Sequence, residues 1–225
     1  MNKYLIIIVV VFIVFSCNSK QGNMKIHGKI TNFQKGKVYL EKMKDTVLVK
    51  VDSVLLDGKN TFTLSDNVDS PQIYYLSISD SDKYVPFFGE KGEISIVSNL
   101  ETFGFKPVIK GSKNQKVYDD FKKMNAKFNN KRLDLIKERF DFIVKKDSVS
   151  AEKVEAKLKS LERRKYLYTI NFATKNANYE VSPYLVLSEI PNANPKLLDT
   201  IQKAMSPKVR ESLYGKKLIA FLEGK

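Results

Sequence analysis

The sequence predicts an α+β protein, in which an N-terminal antiparallel β-sandwich or partly open barrel precedes a helical domain with a long antiparallel helix hairpin. Apolar and polar residues alternate over residues 24–111, a pattern typical of half-buried strands. After Gly111 the apolar residues recur at steps of three and four, as in amphipathic helices. With 225 residues, of which 43% are hydrophobic, the chain is long enough to bury a core.

Short segments with strand character follow one another through residues 24–111. Turn signals such as Lys35-Gly36 and Asp57-Gly58 separate them at roughly 8–12-residue spacing, which is typical of an antiparallel sandwich or barrel. The predicted strands are residues 24–31, 37–43, 47–56, 61–65, 72–79, 84–88, 93–98 and 103–109.

The helical domain, residues 112–225, begins at Ser112, and Gln115 three residues later gives the spacing of a capping box. We expect the aromatic residues at helical spacing to fill the interface between the helices or with the sheet. They are Phe121, Phe128, Phe140, Tyr168 and Phe172. The same stripe of the first helix contains Val117, Met124, Leu135, Ile136 and Ile143.

A second long helix is predicted to begin near Ser150, after a short turn at residues 145–148, and to form an antiparallel hairpin with the first. Three later sites place a capping residue before proline, the residue favoured at the first helical position. These sites, Ser182-Pro183, Asn194-Pro195 and Ser206-Pro207, predict three short helices.

The amino terminus has the pattern of a bacterial lipoprotein signal peptide at residues 1–16. A basic start at Lys3 precedes an apolar run over residues 4–15, which is shorter than the roughly 20 residues that span a membrane. Ser16-Cys17 follows the run, as in a lipobox, so we expect Cys17 to be lipidated and residues 17–23 to form a polar tether. The alternatives are a plain signal peptide or an uncleaved anchor with an incidental cysteine.

The residues after Cys17 bear on location. Asn18 is not the aspartate that marks inner-membrane retention, and residues 19–23 lack an acidic run of the kind that marks surface export. The sequence therefore predicts a cell-envelope protein that is attached by its lipid to the periplasmic face of the outer membrane.

The composition leaves little material for catalysis. One Cys excludes a CxxC redox motif, and one His, His27, gives little basis for a metal centre or a Ser-His-Asp triad. We interpret His27 as a surface residue. No glycine-rich phosphate-binding motif is present. We therefore expect no enzymatic activity, no cofactor and no metal.

The basic excess is concentrated in the helical half. Residues 24–111 contain 12 Lys and Arg against 11 Asp and Glu, whereas residues 112–225 contain 25 against 14. A possible anion-facing surface comprises Lys122, Lys123, Lys131, Arg132, Lys145, Lys146, Arg163, Arg164 and Lys165. Its alternative is an ordinary solvated helix face. For an exported protein we expect an anionic envelope component rather than nucleic acid.

Two aromatic pairs lie in predicted strands, Tyr74-Tyr75 and Phe87-Phe88. Each pair places one ring on either face of its strand. The outward ring could stack on a sugar or peptide. Alternatively it is covered by the helices, which aromatic residues on half-buried strands favour.

Several short motifs resemble the domain of unknown function 4369. They are Asp52-Ser53-Val54, Asp57-Gly58-Lys59 with Phe62, Phe87 to Ile94, and Ile109 to Asn114 with Tyr118 and Phe121. The resemblance implies the N-terminal module of Bacteroidetes-type lipoproteins, in which a helical segment and a thioredoxin-like domain follow. Two later stretches, residues 176–184 and 206–216, are similar to that helical segment.

The present sequence has no CxxC and no counterpart of the thioredoxin-like domain, so no redox residue of the family maps onto it. Two hypotheses remain. The first is a non-enzymatic, membrane-anchored binding or interaction module. The second is an accessory of a separate thioredoxin-like thiol–disulfide oxidoreductase, which would dock where the fused domain lies in the family.

Overall fold

A computed structural model describes residues 22–224. The predicted signal peptide and Cys17 lie outside the described residues. Eight strands come first. They are β1 (Met24–Thr31), β2 (Lys35–Lys44), β3 (Val47–Asp57), β4 (Thr61–Asp66), β5 (Gln72–Ile78), β6 (Tyr84–Gly89), β7 (Gly92–Asn99) and β8 (Val108–Lys110).

The strands form two four-stranded sheets in a sandwich-like arrangement, with the orders β4-β1-β7-β8 and β3-β2-β5-β6. The predicted fold class is confirmed. One pairing differs from the antiparallel expectation, because β1 and β7 run parallel with Met24 opposite Gly92. Alternation in a sequence tells which face of a strand is buried, but it does not tell the direction of a distant partner.

The sandwich core lies between the inner faces of the two sheets. Alternate residues such as Ile26, Ile94 and Leu76 are buried there, as the period-2 pattern predicts. Gly28 pairs with Phe62 on β4, and a Cβ atom at Gly28 would lie 1.9 Å from Cζ of that ring. Glycine therefore allows Phe62 to pack directly against the β1 backbone.

The strand predicted at residues 103–109 is largely wrong. Only Val108–Lys110 pairs with β7, and residues 101–104 form turns. Gly104 and Lys106 have positive φ angles of 86° and 47°, which an extended strand does not contain. Alternating Phe103 and Phe105 imitate a strand pattern, although only Phe103 is buried.

Within the described residues, six helices follow the strands. They are α1 (Lys113–Val144), α2 (Ser148–Lys175), α3 (Val181–Glu189), α4 (Pro195–Ala204), α5 (Pro207–Arg210) and α6 (Leu213–Glu223). Helices α1 and α2 form the long hairpin that the sequence predicts. Within residues 22–224, no helix combines the length and apolar character needed to cross a membrane.

The predicted cap at Ser112 is confirmed, because its side chain accepts a hydrogen bond from the Gln115 N–H. Gln115 does not complete the capping box. Its Oε1 accepts a hydrogen bond from the Phe88 N–H at 2.8 Å, so it fastens the start of α1 to β6.

The proline-associated caps at Asn194 and Ser206 are confirmed, whereas the cap at Ser182 is wrong. Helix α3 begins two residues after Tyr179, with Glu180 at its cap position. Ser182 is buried in the helix, and its hydroxyl donates to the Ala173 carbonyl at 2.8 Å. The helix after Ser206 is only four residues long, and Ser212 caps the separate helix α6.

Aromatic rings join the helices to the outer face of the second sheet. Phe88 on β6 is fully buried, and its ring centroid lies 5.6 Å from that of Tyr118, 5.3 Å from Tyr184 and 6.2 Å from Tyr214. The Tyr214 hydroxyl also accepts a hydrogen bond from the Ile73 N–H. The covered-ring interpretation of Phe88 is therefore confirmed, and this junction fixes where α1 leaves the sandwich.

Candidate functional site

Two apolar clusters hold α1 against α2, one near the sandwich and one farther along the hairpin. Near the sandwich, Phe121 is buried against Tyr168 and Phe172, with ring centroids 6.0 and 5.4 Å away. Farther along, Leu135 packs with Val154, Leu158 and Leu161 of α2, with Phe128 and Phe142 partly buried against them. These contacts use one face of α1.

A second apolar face of α1 is exposed. The expectation that Phe140 fills an interface is wrong, and Ile136 and Ile143 of the same predicted stripe are exposed as well. The exposed fractions along this face are 62% for Leu133, 39% for Ile136, 62% for Phe140, 50% for Ile143 and 65% for Val144. We call these five residues the apolar stripe.

The length of α1 explains why the stripe is uncovered. The helix has 32 residues and is therefore about 48 Å long at a rise of 1.5 Å per residue. Its first turns pack on β6, β8 and α3, whereas its far part, within residues 22–224, packs on α2. A single neighbour covers a single face, so the other apolar face of the projecting part remains open.

An open depression of about 420 Å³ lies beside Ile143 at the far end of the hairpin. Arg139 crosses it to form an ion pair with Glu155, with 3.1 Å between Nε and Oε2. The depression is lined by Arg139, Ile143, Lys146, Ser148, Ala151, Glu152 and Glu155.

Four of the nine residues in the predicted anion-facing surface have acidic neighbours. Lys122 pairs with Asp119 and Lys123 with Asp120, each within one turn of α1. The remaining pairs are Arg132 with Glu162 at 3.8 Å and Lys165 with Glu189 at 3.5 Å.

Arg132 and Lys165 both line a small depression of about 180 Å³, which Glu162 of α2 lines as well. Five of the nine basic residues have no acidic partner within residues 22–224. They are Lys131, Lys145, Lys146, Arg163 and Arg164. Lys145 and Lys146 form the hairpin turn itself, so unpaired positive charge lies next to the apolar stripe.

The remaining candidate within the described residues is His27. His27 is exposed on β1, and its Nδ1 lies 3.5 Å from the Thr63 hydroxyl. The part of the chain that the structure describes contains no group of three or more His, Cys, Asp or Glu residues that could hold a metal ion.

The tyrosines at the junction were not identified as a cluster from the sequence, because they come from elements far apart in the chain. Burial raises the pKa of the Tyr118, Tyr184 and Tyr214 hydroxyls above the ordinary tyrosine value. These hydroxyls therefore stay protonated at neutral pH and serve packing and hydrogen bonding.

Residues 24–118 match a family model, described as Domain of unknown function (DUF4369). This segment is a DUF4369 domain. The DUF4369 domain comprises the whole sandwich and the first turns of α1, and it ends at Tyr118 in the aromatic junction. Neither a curated protein nor a solved structure matches the chain. The apolar stripe lies beyond the DUF4369 domain, on the projecting part of the hairpin.

Proposed function

We propose that the chain is an exported, lipid-anchored envelope protein that acts as a non-enzymatic binding module, with the far part of its helical hairpin as the docking surface. The observation that carries this proposal is the apolar stripe. Single exposed apolar residues are ordinary on a protein surface. Five large ones in succession along one face of a helix are typical of a surface that another molecule covers.

The position of the stripe supports a tethered module. Asn23 at the start of the described chain accepts a hydrogen bond from the Gly92 N–H through its carbonyl. Glu90, just before β7, accepts hydrogen bonds from the start of α1, including one from Asn114 Nδ2 at 2.7 Å. The first described residues and the start of α1 therefore lie at the same end of the sandwich, and the hairpin turn lies about 48 Å away along α1.

Site-specific crosslinking in cells tests the docking surface. We expect the photoreactive amino acid benzoylphenylalanine in place of Phe140 to form a discrete adduct, because that side chain would lie inside the covered surface. Phe105 is the matched control, since its ring is 63% exposed but lies on a loop of the sandwich. The measurement is the adduct yield on a denaturing gel, followed by mass spectrometry of the captured molecule.

Two outcomes would count against the docking surface, namely no adduct from position 140 or equal adducts from positions 140 and 105. An adduct that is lost in an Ile136→Ser background would support it, because that change weakens the surface without altering the crosslinker. A thioredoxin-like protein in the adduct would identify the oxidoreductase-accessory role.

Replacement of Cys17 tests the anchor. We expect Cys17→Ser to abolish lipid attachment and to move the protein from the detergent phase to the aqueous phase. Stable membrane attachment needs two or more acyl chains, and in the proposed lipoprotein Cys17 carries them. Ser19→Ala is the control for a change in the tether and should remain in the detergent phase. Detergent-phase partitioning and labelling with a radioactive fatty acid measure the effect. A Cys17→Ser protein that is still labelled would refute lipidation at this residue.

A further inference from the structure

The spacing of the apolar stripe indicates the shape of its partner. Leu133, Ile136, Phe140 and Ile143 are separated by three, four and three residues. These are the a and d positions of a heptad, and they form a seam of the kind that packs on another helix by knobs-into-holes contacts. Val144, the fifth residue of the stripe, lies at the e position beside the far end of this seam. A helix that lies on a lipid surface needs a wider apolar face.

The charged residues beside the seam are all basic. Lys137 occupies the e position, and Arg132 and Arg139 occupy g positions. Lys137 has no acidic partner within residues 22–224, whereas the two arginines form ion pairs with α2 glutamates at 3.8 and 3.1 Å. Those arginine side chains remain about half exposed, and surface ion pairs of this kind contribute little stability. They can therefore turn toward another carboxylate.

This charge pattern disfavours a second copy of the chain as the occupant. An antiparallel pair of seams would place Lys137 beside Lys137 of the second copy, and Arg139 beside Arg139. A parallel pair would place Arg132 beside Lys137 of the second copy. In both arrangements like charges meet at the e and g positions, which set partner choice in helix pairing.

We infer that the apolar stripe binds an amphipathic helix of another protein, and that this helix carries acidic residues beside its own apolar seam. The inference rests on the proposed function of the hairpin as a docking surface. The seam from Leu133 to Ile143 covers about 15 Å, so it accommodates about three turns of a partner helix. A helix this short is marginal alone in water, so the partner segment is either held in a folded protein or becomes helical on binding.

The depression beside Ile143 extends the same surface. Its charged lining is balanced, because Arg139 is paired with Glu155 and Lys146 is accompanied by Glu152, so the depression offers apolar contact rather than net charge. A partner side chain placed in this depression would bury apolar surface at the end of the seam. In a helix-in-groove interface a few such anchor side chains carry most of the binding free energy.

Two synthetic peptides test the inference. Each has three heptads with Leu at a and d, and one carries Glu at e and g whereas the other carries Lys. The full chain is held in nanodiscs of phosphatidylcholine, with empty nanodiscs as the blank, and binding is followed by fluorescence anisotropy. We expect the Glu peptide to bind at least about tenfold more tightly than the Lys peptide, and its affinity to fall in high salt.

Three variants assign the binding to the seam. Phe140→Ser should lower the affinity for the Glu peptide at least about tenfold, as loss of a central anchor does. Phe105→Ser, the matched exposed phenylalanine, should leave its affinity unchanged. Lys137→Glu should weaken binding of the Glu peptide and strengthen binding of the Lys peptide, because it reverses the e-position charge on the protein. Circular dichroism verifies that each variant keeps the helix content of the parent.

The contrary outcomes are distinct. Equal binding of both peptides, or no binding of either, overturns the inference of an acidic partner helix. The adduct from position 140 separately reports whether the docking surface exists. Binding to phosphatidylglycerol vesicles that Phe140→Ser abolishes, without peptide binding, would assign the stripe to a lipid surface. Self-association that depends on concentration and is lost in Phe140→Ser would assign it to a second copy.

Discussion

Phe88→Ala is expected to lower the free energy of unfolding by about 3–5 kcal/mol, the range for truncating a fully buried phenylalanine. Phe88 has no exposed surface, and three tyrosine rings from α1, α3 and α6 surround it edge-on. Edge-to-face contacts of this kind add to the loss of buried area. The substitution therefore removes the centre of the contact between the sandwich and the helices. Urea denaturation followed by tyrosine near-ultraviolet circular dichroism measures the change.

Phe105→Ala provides the comparison for Phe88→Ala, because it removes the same group from a largely exposed site. We expect it to change the free energy of unfolding by less than about 0.5 kcal/mol. If the two variants were equally stable, the junction seen around Phe88 would not be a stabilising contact.

Asn114→Asp is expected to lower the free energy of unfolding by about 3–5 kcal/mol at pH 7, as in other buried polar networks that lose a partner. Asn114 is buried, and its Nδ2 donates to Glu90 Oε2 at 2.7 Å and to Glu180 Oε2 at 2.8 Å. Its Oδ1 accepts a hydrogen bond from the Val181 N–H. Aspartate would replace the donor with a third negative charge between two carboxylates. Among the described residues, Lys208 is the one basic side chain that pairs with Glu180.

The sign of the pH dependence follows from this repulsion. Carboxyl groups become protonated near pH 4, so the stability difference between Asn114→Asp and the parent should shrink as the pH falls from 7 to 4. Asn130→Asp makes the same chemical change at an exposed position of α1 and should cost less than about 0.5 kcal/mol. A deficit in Asn114→Asp that is independent of pH would refute charge repulsion as its cause.

Local patterns were sufficient to predict most of the secondary structure. Alternation located seven of the strands to within a few residues, and the caps at Ser112, Asn194 and Ser206 are made as predicted. The parallel pairing of β1 and β7 and the burial of Ser182 depend on contacts between distant residues, which a local pattern does not contain.

The candidate site was visible only in part. The steps of three and four that include Ile136, Phe140 and Ile143 are evident in the sequence, but they do not tell which face of α1 meets a neighbour. That depends on how far α1 extends past the sandwich. In the same way, the register of the hairpin brings Arg132 close to Glu162, and the packing of α3 on α2 brings Lys165 close to Glu189.

The place of β1 between β4 and β7 has a consequence for the order of folding. β1 cannot complete its pairing until residues 92–99 have left the ribosome, so the sandwich depends on contacts of high sequence separation. Such contacts form slowly, whereas neighbouring helices meet early. β1 therefore lacks one of its two neighbouring strands until nearly half of the 225 residues have been synthesised.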